Sequence, residues 1–317
     1  MDCSNCGEYA TAKPPIRISE QLDLLERRGM RIDNREYAHD FLRRTGYARL
    51  RPYWYHFEGD PTDHTFKPGT RFEDVTNLYF FDEQLRAAAF EALARIEVAF
   101  RAAWIDGLAV STGDPFGYLG LEHYHNIERF RKDVSELGEL WAVYKRRGDP
   151  PVIHYLRNYC EDCPPVWFAG EAMSFGLLSR FYANLKLDHP VKRGLAAGIG
   201  LHPATLSRVM RAVVVFRNQV FHHARIWDRK FTAYTVSAKT KHYPRRLREG
   251  LSMGLGGWQQ TSYTLLTLAA FLEITLASSI SLARRFVALM NAYNPPIAPM
   301  GVPKDFAQRY PWRDISS

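Results

Sequence analysis

The sequence predicts a mostly α fold: a helical bundle core, a small N-terminal helical subdomain and irregular extensions. Three observations carry this. Apolar residues recur at steps of three and four through several long segments, the period of a helix with one buried face. Runs with period two, the mark of half-buried strands, are scarce. Prolines and glycines fall between the periodic segments, where a chain of helices needs its breaks.

Taken in order, residues 1–13 form a short arm. "PPIRISEQLDLLERRGM" opens with proline, offers Ser19 as a cap and stops at Gly29. A second short helix covers Asn34 to Arg44, and the aromatic "PYWYHF" after it is expected to be a turn and an extended segment. "EGDPTDHTFKPGTRFED" is a polar loop. The clearest helix follows, its stripe formed by Leu78, Phe81, Leu85, Ala89, Leu93, Ile96, Phe100 and Trp104. Glu97 and Arg101 lie four apart beside that stripe, the spacing of an ordinary ion pair on a helix surface. The stretch from Thr112 to Pro165 is loop-rich, with a helix over "IERFRKDVSELGELWAVYKRR". "VWFAGEAMSFGLLSRFYANLK" has one helical pattern, and "HPATLSRVMRAVVVFRNQVFHHARIWD" another, with Pro203 in its first turn. A loop containing "SAKTKHYPRRLREG", a helical region from Tyr263 to Met290 and a proline-broken tail complete the chain. The division expected is residues 1–68, a core over 69–290 with an insertion around 112–165, and a tail over 291–317.

The chain's 317 residues suffice for a real hydrophobic core. A net charge of +8 favours polyanionic partners, nucleic acid first. The apolar stretch Tyr263 to Ala283 carries Glu273 near its middle and is diluted by Ser and Thr, so a core helix is expected and not a membrane span. The N-terminus lacks the apolar core of a signal peptide, and the expected location is the cytoplasm. The four cysteines form two C-x-x-C pairs, Cys3 with Cys6 and Cys160 with Cys163. In a cytoplasmic protein such pairs read as a structural four-thiolate zinc site, which leaves no open coordination position for catalysis, ahead of four ordinary reduced thiols and of redox pairs.

The chemistry concentrates in "FRNQVFHHARIWDR", Phe216 to Arg229. Placed on one continuous helix, Val213, Phe216, Val220 and Trp227 enter the core, while Asn218, His222, Arg225 and Arg229 share a polar face. Histidine moves protons near neutrality, arginine offers a planar fork to phosphate oxygens, and asparagine orients either. These groups suit cleavage of an RNA phosphodiester, in which the 2'-hydroxyl is the internal nucleophile and no catalytic metal is required. The same residue types serve an RNA-binding protein that does not cleave, so both readings stay open. A zinc hydrolase is weaker, because no H-E-x-x-H occurs. A purely structural interaction module is the third rival.

"RNQVFHHARIWDR" resembles the RN-x-x-x-H-H-x-R-x-W segment of the Abi-like abortive-infection proteins, placed in the HEPN superfamily. "GYARLRPYWYHF", "LYFFDEQLRAAAFEALARIEVAFR", "VWFAGEAMSFGLLSRFYANL" and "MGVPKDFAQRYPW" resemble other parts of the family in the expected order. The cysteine pairs stand outside the pattern. The resemblance implies a HEPN-like bundle, a homodimer, and a metal-independent endoribonuclease site of Arg217, Asn218 and His222. It matches Glu97 and Arg101 to the family's E-x-x-x-R pair, while His223 is expected to have a structural place at the core edge and Arg225 and Arg229 are candidates for RNA phosphates, with a helix-surface salt bridge the equal alternative for Arg225. A protein or RNA antitoxin is implied by analogy.

Overall fold

A computed structural model of the chain describes residues 14–60, 62–159, 163–231, 243–251 and 261–316. It is mostly α: among these residues there are thirteen α-helices and one two-stranded antiparallel sheet. They fall into two compact units, Met1–Phe81 and Asp82–Ser317. The sequence expectation set the first boundary at residue 68 and set residues 291–317 apart. The units instead divide inside a long helix, and the C-terminal segment joins the second unit.

The first unit holds α1 (Ile18–Arg27), α2 (Arg35–Thr45) and α3 (Tyr47–Trp54), then β1 (Glu58–Asp60) paired with β2 (Thr65–Phe66). Ser19 lies inside α1 and does not cap it; Glu20 accepts the Arg17 N–H at 2.6 Å. Gly29 ends the turn after α1 at φ +92°, where a side chain would be strained. Asn34 caps α2 by accepting the Tyr37 N–H at 2.9 Å. "PYWYHF", expected as turn and strand, is helical instead. Tyr53 and Trp54 bury their rings, and that burial outweighs a proline inside the helix. Phe41 meets Phe72, Tyr79 and Phe80 edge to face.

The long helix α4 (Phe72–Thr112) buries every residue of its expected stripe. The second unit continues with α5 (Ile127–Arg147), α6 (Pro150–Asn158), α7 (Val166–Ala172), α8 (Phe175–Asn184), α9 (Pro190–Ile199), α10 (Pro203–Phe221), α11 (Arg245–Gly250), α12 (Ser262–Ala277) and α13 (Ser281–Tyr293). The α10 helix packs against α8, α9 and α12, and α5 packs against α7 and α8. The segment expected as one helix from Val166 to Lys186 breaks between α7 and α8. There Ser174 caps α8 by accepting the Leu177 N–H at 3.2 Å.

From Ser262 to Glu273 every residue of α12 is buried, as an all-round apolar helix requires. Glu273 is satisfied there by Arg95 Nη1 at 2.9 Å, the Ser279 and Ser281 hydroxyls at 2.9 and 2.7 Å, and the Leu282 N–H at 3.0 Å. Among the described residues no helix is long and apolar enough to cross a membrane. The C-terminal segment runs in short 3-10 turns, and Trp312 is buried, donating to the Tyr263 hydroxyl at 3.0 Å.

Candidate functional site

The last turn of α10 carries the predicted residues, but the helix does not run on to Trp227. It stops at Phe221. His223 adopts φ +55°, its N–H donates to the Val220 carbonyl at 3.1 Å, and the Ala224 N–H donates to the Gln219 carbonyl at 2.9 Å. This pair of bonds is the Schellman helix stop. Glycine usually takes the left-handed position, so a histidine there hides the stop from a sequence reading. Two expectations change. Arg225 and Arg229 do not continue the face of Asn218 and His222; they lie half-buried in the segment beyond the helix. His223 is exposed, not turned to the core edge.

Arg217 and Asn218 touch through their side chains, and His222 follows one turn on from Asn218. Arg217 donates through Nη1 to Asn218 Oδ1 at 3.3 Å, and the His222 N–H donates to the Asn218 carbonyl at 3.0 Å. The Arg217 guanidinium lies over the Phe221 ring, 3.9 Å from its centre, and Phe221 stacks on Phe90 at 4.1 Å. A cation on an aromatic face is attracted by the ring quadrupole and held flat. Asn218 and His222 are exposed at this end of the helix.

Behind this cluster stands a network that the sequence spacing presented as a plain surface ion pair. Glu97 accepts from Arg217 Nε at 3.1 Å through one oxygen and from Arg101 Nη2 at 2.8 Å through the other. The Glu97 side chain is only 14% exposed and that of Arg101 11%. Arg101 also donates to the carbonyls of Gly170, Glu171 and Met173, which satisfies the end of α7. Gly170 permits this close approach: a Cβ there would fall 2.4 Å from the Ile105 side chain of α4. One carboxylate thus ties the candidate arginine to α4 and, through Arg101, to α7.

The segment after the helix is anchored separately, by residues the sequence reading missed. Asp82 is fully buried on α4. Its Oδ1 accepts the N–H groups of Ile226 and Trp227 at 3.1 and 2.6 Å, and its Oδ2 pairs with Arg86. The Trp227 indole is buried and donates to the Pro296 carbonyl at 3.3 Å. Ser262 bonds the carbonyl of Ile226. An acid and an arginine four apart within an apolar helix were the available signal, and helix-surface pairing is its commoner meaning.

Of the expected zinc ligands, Cys3, Cys6 and Cys160 lie outside the described residues, and Cys163 is exposed. Among the described residues no cluster of His, Cys, Asp and Glu fit to hold a metal ion occurs.

The model of one family, described as Abi-like protein, matches residues 40–228. The chain belongs to the Abi-like family. The match ends one residue after Trp227, so it takes in the Arg217–His222 cluster, its Glu97 support and the Asp82-anchored segment. Abi-like membership associates the chain with abortive-infection defence. No curated protein and no solved structure matches the chain significantly.

Proposed function

We propose that this Abi-like protein is a metal-independent endoribonuclease of the HEPN type, acting in abortive-infection or toxin-type defence. The observation that supports it best is the Arg217–Asn218–His222 cluster, with its arginine fixed from behind by Glu97 and its histidine exposed at the helix end. A guanidinium engaged through Nε keeps a defined orientation toward a phosphate, and positioning is most of what such a reaction asks of a protein.

The chemistry is acid–base. An imidazole takes the proton of the 2'-hydroxyl as that oxygen attacks phosphorus. The P–O5' bond breaks, and a second proton donor delivers to the leaving 5'-oxygen. The products are a 2',3'-cyclic phosphate and a 5'-hydroxyl. The Arg217–His222 motif supplies one such histidine per chain, so the active unit is a symmetric homodimer in which an isologous contact brings two copies of Arg217 and His222 to one cleft. Arg225 and Arg229 add charge for RNA beside it. An antitoxin, protein or RNA, restrains the enzyme.

The test is cleavage of cellular RNA by the purified protein with chelator present, comparing wild type with Arg217→Ala and His222→Ala. Loss of cleavage in both, with unchanged folding, supports the reading. RNA bound but left intact by the wild type turns it into a non-catalytic RNA-binding protein.

A further inference from the structure

Two cavities of about 470 and 530 Å³ adjoin on the second unit and share His125 and Ala183 in their walls. The α10 helix lines both. It contributes Ala204, Ser207 and Arg208 to one and Arg211, Val214 and Val215 to the other. These positions are three or four apart and form a single stripe along the helix. Three residues past Val215 on that stripe stands Asn218, and four further on stands His222. At 1.5 Å per residue, about 15 Å of helix separates Arg208 from Asn218.

The walls are cationic along this line. Arg129, Arg180 and Arg211 line one cavity and Lys186, Lys192 and Arg208 the other, against one carboxylate lining residue, Asp188. Asp133, buried on α5, accepts from Arg180 Nε at 2.8 Å and from Arg129 Nε at 3.3 Å, and Glu136 also pairs with Arg180, so these two guanidinium groups are neutralised in place and the charge offered to a ligand is that of the exposed Lys186, Arg208 and Arg211. Charges in a row, not in a cluster, fit a ligand with repeated negative charge. A flexible single strand can follow such a row with its backbone and turn its bases into pockets of this size, which a rigid duplex cannot do.

We propose that this groove, walled by α5, α8, α9 and α10, is the track that leads a single strand of RNA along α10 to His222. It rests on the ribonuclease reading for its destination, and on the groove's own geometry for its ligand. The strand's phosphates sit on the exposed Lys186, Arg208 and Arg211. Contacts of this kind bind sequence-independently and are weakened by salt.

The test uses the full chain carrying His222→Ala, so that RNA is not consumed, and measures binding of a labelled single-stranded RNA by anisotropy over a salt series. Adding Lys186→Glu, Arg208→Glu and Arg211→Glu is expected to weaken binding at least about tenfold and to reduce the log–log salt slope by about two. A control with Arg245→Glu, Arg284→Glu and Lys304→Glu carries the same charge change outside the groove and is expected to leave the slope unchanged. Thermal unfolding checks that both variants fold. An unchanged affinity and slope in the groove variant, an equal loss in the control, or tighter binding of duplex RNA overturns the track. A parent with no affinity for RNA overturns it too. The two readings separate in the wild-type background. Groove-dependent binding by a protein that never cuts RNA leaves the track and removes the ribonuclease. Cutting at full kcat/KM by the groove variant does the reverse.

Discussion

Arg217 donates through Nε to Glu97 at 3.1 Å, across 120 residues of chain. This bond makes Glu97 a positioning residue for the candidate site, while its bond to Arg101 is structural. Glu97→Gln keeps the shape but removes the charge that holds both arginines. RNA cleavage is expected to fall roughly 10- to 100-fold through kcat, since displacement of a catalytic group by about 1 Å has that scale. The Kd for RNA, measured with His222→Ala also present, is expected to stay within about threefold, because phosphate contacts elsewhere set it. Full kcat in Glu97→Gln would remove Glu97 from the site.

Asp82 anchors the segment that follows His222. Asp82→Ala leaves the Arg86 guanidinium buried without its carboxylate and two backbone N–H groups without an acceptor. Breaking one side of a buried pair costs about 3–5 kcal/mol. Urea unfolding measures it. A loss below about 1 kcal/mol would show that the segment is held by Trp227 and Ser262 alone.

His222 and His223 are adjacent and have opposite expectations. His223 holds φ +55°, a conformation that costs an L-residue about 1–2 kcal/mol, so His223→Gly is expected to raise stability by about 1 kcal/mol and to leave cleavage intact. His222→Ala is expected to abolish cleavage with little change in unfolding. Thermal melts and a cleavage assay on both variants check this, and activity lost in His223→Gly would return that histidine to the chemistry.

Alkaline pH is expected to unfold the second unit steeply. Burial raises the hydroxyl pKa of Tyr118, Tyr124, Tyr182 and Tyr243, and pushes that of Tyr263 up to about 12. In the unfolded chain these groups ionise near pH 10, so the folded state binds more protons above that point and stability falls as pH rises. The slope is about 1.4 kcal/mol per pH unit for each tyrosine. Lys192 works the other way: burial lowers its amine to about 8, so its contribution rises from pH 8 and is complete by its ordinary value of 10.5. Denaturant titrations between pH 8 and 12 measure the balance. Constant stability to pH 12 would mean that the tyrosines titrate freely in the folded state.

The sequence showed the long α4 stripe, the α5 bounds and the buried character of α12, because each is set by local periodicity or by apolar content alone. It also placed Asn218 and His222 on one face, four residues apart, with Arg217 about 140° away around the helix and able to reach that edge only because its side chain is long. What it could not show was set by tertiary contact. The stop at His223 uses a residue without the glycine signature, and the anchoring of Ile226 and Trp227 by Asp82 joins positions 144 and 145 residues apart. Glu97 and Arg101 have the spacing of a surface pair and the burial of a core network. That difference depends on Arg217 and α7 arriving from far along the chain.

The central claim is that RNA is cut at Arg217 and His222 without a metal. Its most direct measurement is the chemistry of the RNA ends produced in EDTA by the wild type, by His222→Ala, and by a mixed dimer with one His222→Ala chain. Ribonuclease chemistry at this cluster gives 2',3'-cyclic phosphate and 5'-hydroxyl ends from the wild type, none from His222→Ala, and a clearly slower reaction from the mixed dimer. Cleavage by His222→Ala at the wild-type rate, or 5'-phosphate ends, would contradict it.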